Sequence, residues 1–162
     1  MRQLAITYQR GGLGLLKSSK KAARLFKRAV ELGDTEAMVK LGIMYHDGNG
    51  VKLNHVKAMQ LFRAAADRGD ARGQAMIALC LLQTDPEALE DDLKTGFRYA
   101  KLSSDQGYTM GSLMLGKAYY FGLGVEERPD EVIRLFTIAL ASGELPEMNN
   151  SFMRRVIAEL SA

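Results

Sequence analysis

Apolar residues recur along this chain in blocks, and inside each block their spacing is that of a helix. Four glycines set the register: Gly33, Gly69, Gly107 and Gly143, separated by 36, 38 and 36 residues. Seven residues before each stand Phe26, Phe62, Ala100 and Phe136, and eight before stand Leu25, Leu61, Tyr99 and Leu135. Ala29, Ala65, Ser103 and Ala139 lie four before; Ala22, Ala58, Gly96 and Val132 lie eleven before. Offsets of 3, 4 and 7 within this set trace one face of a helix. Each block therefore predicts a helix with a small–large–small buried stripe, closed by a glycine that can take the left-handed conformation of a helix end.

A second pattern follows each glycine. Leu41, Ile77 and Leu115 come eight residues on, next to Gly42, Ala78 and Gly116; Tyr45, Leu81 and Tyr119 come twelve on. Leu4, Ala5 and Tyr8 share this internal spacing. These segments predict the partner helix of each pair, with Asp34 and Asp70 placed to cap two of them. The central glycine or alanine leaves room for the other helix, whose alanines are expected to face it. Between the two helices of a block lies a glycine motif: YHDGNGVKLN at 45–54, YFGLGVEERP at 120–129 and YQRGGLGLLKS at 8–18. No strand pattern precedes any copy, as a phosphate-cradling loop would require. Three copies in step with the helices read as turns. Ser18, Asn54 and Asp92 are expected to cap the following helix, and Pro129 to open it in the last block.

The block LGIMYHDGNGVKLNHVKAMQLFRAAADRG resembles the Sel-one-like repeat, a relative of the tetratricopeptide repeat. LGKAYYFGLGV with LFTIALASG, and LAITYQRGGLGLL with AARLFKRAVELG, resemble it as well. The resemblance covers roughly residues 2 to 143 and implies an all-α fold, an α-α superhelix or solenoid of helix pairs. The units expected are 1–33, 34–69, 70–107 and 108–143 within a single domain. The third departs: QTDPEALEDDL replaces the glycine motif and Ala100 replaces phenylalanine, with Phe97 and Tyr99 nearby to fill the space. After Gly143 the repeat stops, and Met148, Phe152, Met153, Val156, Ile157 and Leu160 predict a capping helix over about 146–160. Repeat arrays need such a cap over the last exposed layer.

The resemblance also implies a non-enzymatic adaptor that binds a protein or peptide along a concave groove lined by the first helices. Carried over by register, the groove positions are Ile6, Gln9, Arg10, Val39, Ile43, His46, Asp47, Leu79, Leu82, Gln83, Leu113, Lys117, Tyr120 and Phe121. Burial against neighbouring repeats is the competing reading for the apolar members.

Charge adds a second possibility. Eight basic residues precede Glu31, the first acidic one, although the whole chain carries only +3. Lys17, Lys20, Lys21, Arg24, Lys27 and Arg28 recur at helical spacing and form either a solvated face or a stripe for an anionic partner: nucleic acid, an acidic protein or a membrane surface. Asp85, Glu87, Glu90, Asp91 and Asp92 read as a solvated acidic loop rather than a calcium loop, because the spaced ligands and central glycine are missing. The two histidines, His46 and His55, and the single Cys80 supply no metal-ligand spacing and no Ser/His/Asp or Cys/His set. No cofactor, metal or small-molecule substrate is expected. With no disulfide possible and no signal-peptide core at the start, a cytoplasmic location is the expectation.

Overall fold

The computed structural model describes residues 1–12, 14, 16–82 and 89–162. Among them every regular element is a helix: α1 Arg2–Arg10, α2 Ser19–Glu31, α3 Thr35–Asp47, α4 His55–Ala66, α5 Ala71–Leu81, α6 Glu90–Asp105, α7 Thr109–Phe121, α8 Pro129–Ser142 and α9 Glu147–Leu160. The fold is all-α, with helix pairs followed by the capping helix α9. Two compact units divide the chain, Met1–Gly73 and Gln74–Ala162.

Local chemistry sets the ends of these helices. Ser18 Oγ accepts from the Lys21 N–H, Asn54 Oδ1 from Lys57 N–H at 2.9 Å, and Asp34 Oδ1 from Ala37 N–H at 2.9 Å. Asp70 Oδ1 accepts from two amides, those of Arg72 and Gly73. Each cap satisfies a donor that the helix itself leaves unpaired. Pro129 opens α8. Asp92 does not cap α6. That helix begins at Glu90, with Leu89 as its cap residue, and Asp92 sits inside the first turn beside Glu90 and Asp91. Three carboxylates there face the positive end of the helix dipole, which favours starting the helix before them. Asp85 and Glu87 lie outside the described residues.

Second helices hand over to the next first helix through one repeated bond. The N–H of Asp34, Asp70 and Tyr108 donates to the carbonyl of Ala29, Ala65 and Ser103, at 3.0, 3.1 and 3.2 Å. Asp34 and Asp70 thus close one helix with their backbone and cap the next with their side chain.

The helix pairs mesh by unequal side-chain size. A Cβ built on Gly42 would lie 2.5 Å from Cε1 of Phe62, and one on Gly116 would lie 2.6 Å from Cδ1 of Phe136. Both rings are wholly buried. The glycine therefore receives a phenylalanine, not the alanines its spacing suggested. Burying such a ring contributes about 1.5–3 kcal/mol, more than the roughly 1 kcal/mol that glycine costs a helix. In the third block the sizes are exchanged. Ala78 and Ala100 are both fully buried, and it is Gly96 on α6 that makes room, its missing Cβ lying 2.9 Å from Leu82 Cγ. Phe97 and Tyr99 pack against the same cluster from its edge.

The glycine motifs are turns with a packing task. After each motif the N–H that starts the second helix donates to the carbonyl of a first-helix tyrosine: Ser18 to Tyr8 and Asn54 to Tyr45 at 2.8 Å, Arg128 to Tyr119 at 3.3 Å. Gly50, at φ +75°, presses on Ser19 at the start of α2, and Gly124, at φ +70°, presses on Leu93 and Lys94 near the start of α6. A Cβ on Gly50 would meet the Ser19 carbonyl oxygen at 2.5 Å. The second glycine of these two motifs thus lets the turn rest on the backbone of the preceding second helix, while Gly14 of the first motif has nothing within 4 Å of a built Cβ.

On α9, Met153 and Val156 are buried and Phe152, Ile157 and Leu160 are partly so. Met148 is 81% exposed and takes no part in the apolar face, because it lies in the first turn, before the helix reaches the core. Among the described residues, no helix is long and apolar enough to cross a membrane.

Candidate functional site

In the second unit, four of the groove positions converge. Leu79 and Leu82 at the end of α5, and Lys117 and Phe121 on α7, line one concavity of about 290 Å3 together with Met114, Leu123 and Phe152. Phe121 is 43% exposed. Its ring meets Tyr120 edge-on at 4.7 Å and stacks on Phe152 at 6.3 Å. The Tyr120 hydroxyl donates to the Glu159 carboxylate at 3.3 Å, tying α7 to the capping helix. Lys117 is half-buried, and burial lowers its ammonium pKa from the ordinary lysine value. Its Nζ lies 5.4 Å from the centre of the Phe152 ring, and the Arg155 guanidinium lies 5.9 Å from the same ring. Among the described residues Lys117 forms no ion pair. The arrangement offers apolar contact area beside two cations.

Leu113 is not part of this surface. It is 1% exposed, inside the cluster that includes Ala78, Leu115 and Phe136. Gln83 lies outside the described residues. Met114, Leu123 and Phe152 are the members that the repeat register misses; the sequence puts Phe152 on the buried face of the cap, and nothing in a repeat pattern says which end of α7 the cap meets.

In the first unit the groove positions are more dispersed. Ile6, Gln9, Ile43 and His46 are partly buried, while Arg10 and Asp47 are exposed. Val39 is 5% exposed and belongs to the interior. Helical register placed it just beside the packing stripe, and in a close-packed pair that neighbouring position is covered too. The two histidines, which sequence assigned to separate elements, come together. Their rings are 5.2 Å apart, edge to face, and His46 Nδ1 is 2.8 Å from Asp47 Oδ1.

The basic stripe is solvated. Lys17, Lys20, Lys21, Arg24, Lys27 and Arg28 are all exposed, and among the described residues none of them pairs with a carboxylate. Lys21 instead lies over the Tyr8 ring at 5.2 Å, and Lys27 over Tyr45 at 5.8 Å. Lys57 of α4 covers Tyr45 as well, at 5.5 Å. Lys27, Tyr45 and Lys57 form a cleft of about 380 Å3 with Val30, Glu31, Leu41, Gln60 and Leu61. Lys57 was not foreseen, because it joins the stripe only through space.

Acids and bases pair instead along the starts of the first helices. Arg2 reaches Asp34 at 3.1 Å and Glu36 at 3.3 Å; Arg72 reaches Glu36 at 3.7 Å and Asp70 at 2.8 Å. Burial alone would raise the Asp70 pKa. The Arg72 guanidinium and the Gly73 and Arg72 amides outweigh that and hold it below the usual carboxylate value. Cys80 is half-buried, and burial raises its thiol pKa, which suits a packing role rather than a nucleophile.

Known proteins resemble the chain in both sequence and fold. An F-box protein of Arabidopsis thaliana is 30% identical over 119 residues, 74% of this chain and 32% of the relative. Human protein sel-1 homolog 2 is 29% identical over 109 residues, 67% of this chain and 16% of the relative. The chain thus spans about a third or less of the curated relatives it matches. The crystal structure of a Sel1 repeat protein from Oxalobacter formigenes superposes with a TM-score of 0.68 at 22% identity, over 88% of this chain and 58% of that one, a likeness of fold. The family profile described as Sel1 repeat matches four times, at residues 1–34, 35–70, 71–108 and 110–143. Proteins of this kind are in general protein–protein interaction modules and typically non-enzymatic scaffolds. With the recurrent glycine turns and the meshed helix pairs, these four matches establish that the chain belongs to the Sel1 repeat family.

Proposed function

We propose that this chain is an interaction module that docks a segment of a partner protein in the concavity of its second unit. One observation carries the reading: Leu79, Leu82, Phe121 and Phe152 present apolar surface to solvent around Lys117, which makes no ion pair among the described residues. A soluble surface that exposes joined apolar side chains beside a half-desolvated cation leaves free energy unclaimed, and a bound segment recovers it. The side chains stand on helices that the core already orders, so docking costs the module little conformational entropy. The segment that fits carries a large apolar side chain for the Phe121–Phe152 face and a carboxylate for Lys117.

The test selects peptides from a displayed random library with the wild-type chain, then measures their affinity for three variants. Phe121→Ala and Lys117→Glu are expected to weaken selected peptides at least about tenfold, as loss of a buried aromatic contact or reversal of a paired charge does. Ile138→Ala, an exposed residue on α8 outside the concavity, is expected to change nothing. Peptides that bind all three variants as tightly as wild type would refute the assignment.

A further inference from the structure

The cleft between α2 and α4 differs from its counterpart in the second unit, and the difference is one of charge. The repeat register equates Lys27 with Lys101, Glu31 with Asp105, Tyr45 with Tyr119 and Lys57 with Glu131. In the second unit the counterpart neutralises itself: Lys101 pairs with Asp105 at 3.1 Å and Arg134 with Glu131 at 2.6 Å. In the first unit the same lysine does not pair with Glu31. It turns onto the Tyr45 ring, which Lys57 also approaches, at 5.8 and 5.5 Å. Among the described residues Glu31, itself exposed, is the one carboxylate lining the cleft.

The helix starts sharpen the contrast. No acidic residue lies in the first turn of α2 or α4, whereas α6 begins with Glu90, Asp91 and Asp92 and α8 with Asp130 and Glu131. Lys20 and Lys21 occupy the first turn of α2, and Lys57 that of α4. A helix N-terminus is already positive, so a lysine there is placed against the dipole. The fold accepts acids at this position, as α8 demonstrates. The first unit keeps cations there, and Lys57 with Lys27 leaves an excess of positive charge over Glu31 beside an apolar floor of Val30, Leu41 and Leu61.

We propose that this cleft is a second docking site, for an acidic protein segment in which a large apolar side chain is flanked by carboxylates. The apolar side chain enters between Leu41 and Leu61, and the flanking carboxylates meet Lys27 and Lys57. Nucleic acid fits less well: Tyr8 carries Lys21 over its ring and Tyr45 carries Lys27 and Lys57, so a stacking base would have to displace a lysine that its phosphates would otherwise use. A flat membrane surface would leave the recess unfilled.

The probe is a fluorescein-labelled peptide with one phenylalanine between two pairs of glutamates, read by anisotropy against the whole chain. The Lys27→Glu/Lys57→Glu variant is expected to bind it about tenfold or more weakly, and a peptide with alanine in place of phenylalanine to lose a similar factor. Lys52→Glu/Arg98→Glu, which makes the same change of net charge at residues that do not line the cleft, is expected to bind within about twofold of wild type. Lys57→Glu alone is expected to melt no lower than wild type, because it installs the acid that α8 carries, so lost binding is not lost folding. Equal loss in both double variants would reduce the effect to net charge and overturn the proposal. It is overturned also if the peptide does not bind wild type, or if only oligouridine or phosphatidylserine vesicles do. Phe121→Ala leaves this cleft untouched, so failure here and failure of the second-unit assignment are separate results.

Discussion

Replacing Gly50 with alanine tests whether the glycine motif exists to bring two backbones together. Gly50 has φ +75°, and Gly69 has φ +78°. Placing an L-residue in this left-handed region costs about 1–2 kcal/mol at either position. Alanine also narrows the unfolded chain's conformations, worth about 0.4–1 kcal/mol, again equally at both. The surroundings differ. Nothing lies within 4 Å of a Cβ at Gly69, whereas at Gly50 the Cβ would meet the Ser19 carbonyl oxygen at 2.5 Å and Ser19 Cβ at 2.6 Å. Ser19 is the first residue of α2, fixed by the Ser18 cap and by the bond from Ser18 N–H to the Tyr8 carbonyl. Backbone held in this way cannot rotate aside as a side-chain tip can. Forced separation of packed elements costs about 1–3 kcal/mol. Gly50→Ala is therefore expected to lose about 1–3 kcal/mol more than Gly69→Ala, the conformational terms cancelling between them. Urea unfolding followed by far-ultraviolet circular dichroism measures this as a difference in midpoint at matched slope. Equal midpoints for the two variants would refute the backbone-contact reading and leave the motif a simple turn.

Gly42→Leu is expected to destabilise the chain by about 1–3 kcal/mol despite leucine's better helix propensity, because the Phe62 ring already occupies the space; an unchanged thermal melt would contradict this. The Asp70 carboxyl has a folded pKa below its unfolded value, so its contribution is present above about pH 4 and is lost as the pH falls through the folded value. Stability of Asp70→Asn should accordingly fall less steeply than that of wild type in this acid range, and parallel stability–pH curves would refute the linkage.

The candidate surfaces were legible in part. The family resemblance, carried over by register, assigns Leu79, Leu82, Lys117 and Phe121 to one surface, and these four line one concavity. The same register misassigned Val39 and Leu113, which are buried. It could not supply Phe152 or Lys57, because each reaches its cleft from an element whose placement depends on packing. Sequence gave the basic stripe its residues, but not the tyrosines that hold Lys21, Lys27 and Lys57, nor the neutralised counterpart that makes the first cleft distinctive.

Sequence by itself determined the helices and their punctuation. Periodicity, the caps at Ser18, Asp34, Asn54 and Asp70, and the closing glycines act within one or two turns of chain, so neighbouring residues carry the information. It also determined that something on the partner helix must come close to each small residue, and the alanines it offered for that were the wrong choice. Only the tertiary structure decided what that something was: Phe62 on Gly42, Phe136 on Gly116, and the exchange that puts Leu82 on Gly96. Contacts of this kind join residues about 14 to 20 positions apart, and their partners are chosen by volume and direction across a helix pair, which no local spacing encodes.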